Sequence, residues 1–292
     1  MVVSDSGTPP AHRSVEEILA HPRFSAARNE FAAAVLAIYE NNPYLSRLLV
    51  EAGRGVLFIV ILALHARYQE NARSTWPTMR LVTQAMMGQG VTSARRVSGL
   101  VSRLIETDYV ELRFAPGDQR VRIVTPTAKM SAQDQDWLAA NYLPLQMLFP
   151  DPGYAKITGR DPAFHLAHRL ITADFLALGA QIMADNPIVM QFTSREAGMM
   201  ILIKLIQLCD LESLSTPQGL SYSEVGARFG VSRTQVRKVL EEAERGGLVR
   251  LARDRRQTVQ LTPELVAAFD RFLAAGMSGH DLIYNVALQA VG

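Results

Sequence analysis

Arg233, Thr234, Gln235, Arg237 and Lys238 fall within six residues, and all carry side chains that donate hydrogen bonds. A planar guanidinium can donate in pairs to a guanine edge, and a glutamine amide can pair with adenine. Arg253, Arg255 and Arg256 follow closely, and clustered arginines of this kind suit phosphate oxygens or a minor groove. From Arg233 to Arg256 eight basic residues meet four acidic ones, leaving +4. The chemistry on offer is the holding of an anionic polymer and the reading of its base edges.

The stretch Leu220–Pro263 must position these groups. It reads as a short helix over about Tyr222–Phe229, a turn at Gly230, and a second helix opened by Ser232 and closed at Gly246-Gly247. A basic β-hairpin follows. Val236, Val239, Leu240 and Ala243 recur at helical spacing and form one apolar stripe, leaving Thr234, Arg237, Lys238 and Glu241 on the other side. Ser232 is a good N-cap, with Gln235 three residues on. Gln235 therefore either closes a capping box or reads a base, and both remain open. Arg245 and Glu241 are spaced to form a surface pair. Helix, turn, helix and a two-stranded wing is the order of a winged helix-turn-helix.

The pattern recurs upstream. A shift of 139 pairs Ser93 with Ser232, Val97 with Val236, Val101 with Leu240, and Tyr109-Val110 with Leu248-Val249. Thr125-Pro126 matches Thr262-Pro263 at a shift of 137, so the second wing is expected to be two residues shorter. A shift of 144 pairs Glu30-Phe31 with Asp174-Phe175 and Asn42-Pro43 with Asn186-Pro187. Ordered matches of this kind indicate a tandem duplication. The expected parts are a tail over 1–13 and units over 14–150 and 151–292, joined by a linker at Phe149–Gly153. In the first unit Arg95, Arg96 and Ser98 are the base-reading candidates and Arg120 and Arg122 the wing arginines. Gly99 is expected to interrupt that helix.

The whole chain has 292 residues, 48% hydrophobic and 20% charged, with mean hydropathy +0.06, which describes a folded protein of about two domains. Net charge is only +2, less than the two motif segments carry between them, so the remainder is net acidic. Cys209, the one cysteine, rules out an internal disulfide, and its place on the apolar run Met199–Leu211 suggests a buried thiol. The first residues do not read as a signal peptide, and the apolar run Gly55–Leu64 is too short to span a bilayer. A cytoplasmic protein without a membrane partner is expected. His165 and His168 share one helix face without a completing carboxylate or cysteine set. They are read as surface or core-edge residues, and no metal, cofactor or catalytic residue is expected.

Phe229–Arg250 resembles the DNA-binding core of bacterial winged-helix regulators. It is similar to the GntR group in Ser232-Arg233-Thr234-Gln235-Val236-Arg237 and to the MarR group in its flanking helices. The resemblance implies that this helix is a recognition helix and the hairpin a wing. It places contacts at Ser232, Arg233, Thr234, Gln235, Arg237 and the wing arginines. The expected fold class is mainly α with small β-hairpin wings. Flanking helices at about 25–69, 127–146, 164–208 and 264–290 would form a shared helical body. The expected function is a sequence-specific transcriptional regulator, a single-chain pseudo-dimer on double-stranded DNA. Its two recognition helices would enter neighbouring major grooves about one helical turn apart. A small apolar effector and a homodimer are the further partners this reading allows. The alternative is a winged-helix scaffold that docks protein partners.

Overall fold

The computed structural model describes residues 11–40, 52–88, 94–193, 195–210, 213–216, 219–252 and 257–291. They are mainly helical, with two small antiparallel sheets of two strands each. The first stretch runs α1 (Val15–Ala20), α2 (Phe24–Glu40), α3 (Ala52–Ala66), α4 (Met79–Gly88), α5 (Ala94–Glu106), β1 (Val110–Ala115), β2 (Asp118–Pro126) and α6 (Ala128–Leu148). Then come α7 (Ala155–Thr158), α8 (Pro162–Thr172), α9 (Leu176–Ala184), α10 (Pro187–Thr193) and α11 (Gly198–Leu208). The last stretch is α12 (Tyr222–Phe229), α13 (Arg233–Arg245), β3 (Val249–Leu251), β4 (Val259–Leu261) and α14 (Pro263–Val291).

Helices begin where a side chain can take a free amide. Ser221 and Ser232 accept the amides of Glu224 and Gln235 at 3.3 and 3.1 Å, opening α12 and α13. Asp161 accepts from Ala163 and Phe164 ahead of Pro162, whose missing N–H costs nothing at a first helical position. Between α12 and α13, Gly230 takes φ +68°, a conformation glycine enters freely, so the chain reverses within a few residues.

The chain divides into two compact units. Unit 1 comprises 1–24, 57–181 and 274–292, and unit 2 comprises 25–56 and 182–273. This differs from a division at 150/151. Nearly all of α2 lies in unit 2, α8 lies in unit 1, and α14 passes from one unit to the other after Leu273. Arg28 on α2 shows why. Its Nη1 donates to both carboxylate oxygens of Asp270 at 2.9 Å, fastening α2 to the first part of α14. Phe149–Gly153 is not a free linker either. Tyr154 N donates to Gln146 Oε1 at 2.5 Å, and the Arg13 guanidinium lies 4.5 Å over the Phe149 ring, all within unit 1.

In unit 1, α3 buries Leu57, Val60, Ile61 and Ala63 completely, and Phe58 meets Tyr109 edge-on at 5.6 Å. In unit 2, α11 buries Ile201, Leu202 and Leu205, while Leu265 and Phe269 of α14 are also sealed from solvent. Each such Val, Leu, Ile or Phe side chain contributes about 1.5–3 kcal/mol, so these two apolar helices anchor their units. No helix among the described residues is long and apolar enough to cross a membrane. The run expected to continue to Leu211 ends at Leu208, where Cys209 turns extended as the C-cap. Cys209 is half-buried, not a core thiol.

Candidate nucleic-acid interface

In unit 2, α13 turns Val236, Val239, Leu240 and Ala243 inward, and α12 contributes Val225 and Phe229 to the buried set. Ser232, Arg233, Thr234, Arg237 and Lys238 are exposed on the other side. Gln235 is half-buried, and its Nε2 donates to Glu196 O at 3.3 Å. The half of the capping box in which Ser232 Oγ accepts from Gln235 N is in place, while the Gln235 amide nitrogen reaches the neighbouring loop. Arg237 Nε lies 3.3 Å from Glu241, one turn on, whereas Arg245 lies 3.7 Å from Glu242. The spacing of 241 and 245 had suggested a different pair. Arg195 also grips Glu242, with Nε at 2.9 Å, and this hydrogen bond holds the Glu242 carboxyl below its ordinary pKa. The Arg195–Glu242 pair lines a cavity of about 250 Å³ that is otherwise floored by Phe192, Val239, Ala243 and Leu248.

In unit 1, α5 runs unbroken through Gly99, which faces open space and does not interrupt it. Val97, Leu100, Val101 and Leu104 are buried, while Arg95, Arg96 and Ser98 are exposed. Arg120 and Arg122 are exposed on β2. The hairpin is long here, six and nine residues, against three and three for β3–β4. Arg250 is exposed on β3 opposite Gln260. Arg253, Arg255 and Arg256 lie outside the described residues.

The two motifs agree hydrogen bond by hydrogen bond where the second helix turns into the hairpin. Tyr109 N donates to Leu104 O at 2.9 Å, and 139 residues on Leu248 N donates to Ala243 O at 2.9 Å. Asp108 N reaches Ile105 O, and Gly247 N reaches Glu244 O. Each outer strand also meets one upstream residue. Thr78 bridges Ile123, with Pro77 O accepting from Val124 N, and Ser215 bridges Gln260, with Leu214 O accepting from Leu261 N. At the end of each hairpin a threonine donates through both N and Oγ1 to the carbonyl after the turn: Thr127 to Tyr109 and Thr262 to Leu248. Thr262 thus corresponds to Thr127, a shift of 135, not to Thr125. On that alignment the second hairpin is four residues shorter than the first, where the sequence spacing suggests two.

A buried polar cluster in unit 1 departs from the expectation for His165 and His168. They are 8% and 0% exposed. Asp134 on α6 is 2% exposed and takes His165 Nε2 at 2.6 Å, Arg169 Nε at 2.7 Å and Arg169 Nη2 at 2.5 Å. Burial alone would raise its pKa, but the Arg169 charge and these hydrogen bonds outweigh that and lower it. Tyr142 donates to His280 O at 2.6 Å and sits 2.8 Å from His168 Nε2. Burial first, then the Arg169 charge, drives the pKa of His168 well below ordinary and that of His280 to about 4. The side chains of Asp134, Tyr142, His165, His168 and Arg169 are buried, and with half-buried His280 they tie α6, α8 and α14 together. The spacing 165, 168, 169 marks one helix face, but the partner 31 residues upstream leaves no local signal. Among the described residues no group of three or more His, Cys, Asp or Glu could hold a metal ion.

No family model, curated protein or solved structure matches this chain.

Proposed function

We propose that this chain is a sequence-specific DNA-binding regulator with two winged helix-turn-helix readers descended from an internal duplication. The observation that carries the reading is the twofold occurrence of one device. In each case a capped or buried-faced second helix shows cations outward and turns into a hairpin through the same hydrogen bonds. The outer faces of α5 and α13 suit a major groove, with Arg95, Arg96, Arg233 and Arg237 for guanine edges. Arg120, Arg122 and the arginines of the second wing suit phosphates.

The exchange of α2 and α8 between units supports a single-chain pseudo-dimer, since each unit takes up a helix from the other repeat. An effector acting on unit 2 would use the cavity beside α13. At about 250 Å³ it falls below the ~300–1,000 Å³ of ordinary ligand pockets, so the effector would be small, its apolar part against Phe192, Val239, Ala243 and Leu248. One observation favours protein docking as a second reading: Leu166 and Leu170, one turn apart on α8, are 57% and 40% exposed.

Titrating the full chain onto duplexes of random sequence tests the proposal. Log affinity should fall linearly with log salt between about 50 and 200 mM, and arginine-to-alanine changes on α5 and α13 should weaken binding. Affinity independent of salt, or equal for the variants, contradicts it.

A further inference from the structure

Neither base reading by α5 nor phosphate contact accounts for Phe114. It is 58% exposed on β1, at a point where the ladder register shifts between Phe114 and Ala115. A bulge of this kind re-aims side chains. Across the ladder stands Arg122, whose guanidinium carbon lies 5.2 Å from the ring centroid. Strand alternation puts Arg120 on the same face as Arg122, and both are exposed.

The other face of the hairpin is braced. Ala115 and Ile123 pack with Trp76, flanked by Tyr68 and Val121. Thr78 bridges Ile123, and Arg73 donates to Asp118 at 2.8 Å while lying 5.4 Å over the Trp76 ring. A lone exposed apolar side chain is ordinary. A planar ring held out on a braced hairpin under one arginine, with a second exposed arginine two residues along the partner strand, has a narrower range of uses. Phosphates drawn to Arg120 and Arg122 would bring a groove over the ring, and the apolar space available there lies between base pairs.

We propose that Phe114 is a wedge that enters the minor groove between two base pairs, unstacking one step and bending the duplex beside the phosphates held by Arg120 and Arg122. This rests on the DNA-binding reading and adds to it a preference set by deformability, at a step read by no hydrogen bond. Pyrimidine–purine steps, which unstack most easily, are the favoured target. The bend is one-sided, because the second hairpin has no aromatic residue between Val249 and Leu261.

The test uses the full chain and duplexes that the wild-type chain recovers from a random pool. Each carries end dyes and 2-aminopurine at one position in turn. Wild type should raise 2-aminopurine emission at one step and bring the ends closer. Phe114→Ala should bind with the same salt dependence but lose both signals, and Phe114→Trp should keep them. Preference for a flexible step over an A-tract should drop from about tenfold to near one in Phe114→Ala. Emission flat at every step in a salt-sensitive wild-type complex, or an undiminished bend in Phe114→Ala, overturns the wedge and leaves DNA binding intact. A wild-type chain that recovers no duplex overturns the DNA-binding reading and the wedge together.

Discussion

Asp108 and Gly247 stand 139 residues apart in the chain and at the same place in their motifs, with φ of +59° and +72°. Each turns the chain out of the second helix and into the hairpin. Glycine enters this left-handed region freely, whereas a side chain costs about 1–2 kcal/mol, less for Asp. A Cβ at Gly247 would meet nothing within 4 Å, so Gly247→Ala isolates the backbone cost. Urea unfolding should show a loss of about 1 kcal/mol for Gly247→Ala and a small gain for Asp108→Gly.

Arg237 reaches Glu241 at 3.3 Å with both side chains about half exposed, so the pair adds little to stability. It does hold a base-reading candidate beside a like charge to phosphate. Glu241→Gln should leave the unfolding midpoint nearly unchanged and tighten duplex binding several-fold. Arg237→Ala should lose about 1–3 kcal/mol and relax specificity at one base position. Binding titrations on matched and mismatched duplexes check both.

Asp134 neutralises the buried Arg169 through two hydrogen bonds and also accepts from His165. Asp134→Asn would leave a buried guanidinium without its counter-charge, a loss of about 3–5 kcal/mol. Asp136, two residues on, pairs with Arg160 at 2.7 Å where both are half exposed, and Asp136→Asn should cost under about 1 kcal/mol. Thermal unfolding of the two variants separates a structural cluster from a surface pair.

Acid should weaken unit 1 through its neutral histidines. Buried His168 and half-buried His280 are held neutral, with folded pKa values below the unfolded 6.5, so the unfolded chain binds more protons between the two values. Stability is therefore full above about pH 6.5 and falls as pH drops toward 4. For His280, with a folded value of about 4, the loss reaches about 3 kcal/mol. His280→Phe also removes a buried Nδ1 that has no hydrogen-bond partner. This variant should flatten the pH dependence of the urea midpoint without lowering it at pH 7.

What was legible in the sequence was local. The stripe Val236, Val239, Leu240, Ala243 and the serine cap of α13 depend on helical period and neighbouring amides alone. Gly99 misled because its propensity penalty of about 1 kcal/mol is outweighed by four buried apolar residues on the opposite face of α5. Thr125-Pro126 misled because identity of residue type mimicked a correspondence that the hydrogen bonds give to Thr127. The placing of α2 with unit 2 and the meeting of Asp134 with Arg169 are tertiary choices between distant segments, and no period or cap encodes them. Phe114 carries no signal in the sequence, because a phenylalanine on a strand reads as core until its exposure is known.

The central claim is that two readers in one chain recognise DNA together, and selection from random duplexes with the full chain tests it most directly. The account predicts two unlike half-sites at a fixed spacing, an imperfect palindrome. Arg95→Ala should degrade one half and Arg237→Ala the other. Recovery of a single short element, or of no enriched sequence, contradicts it.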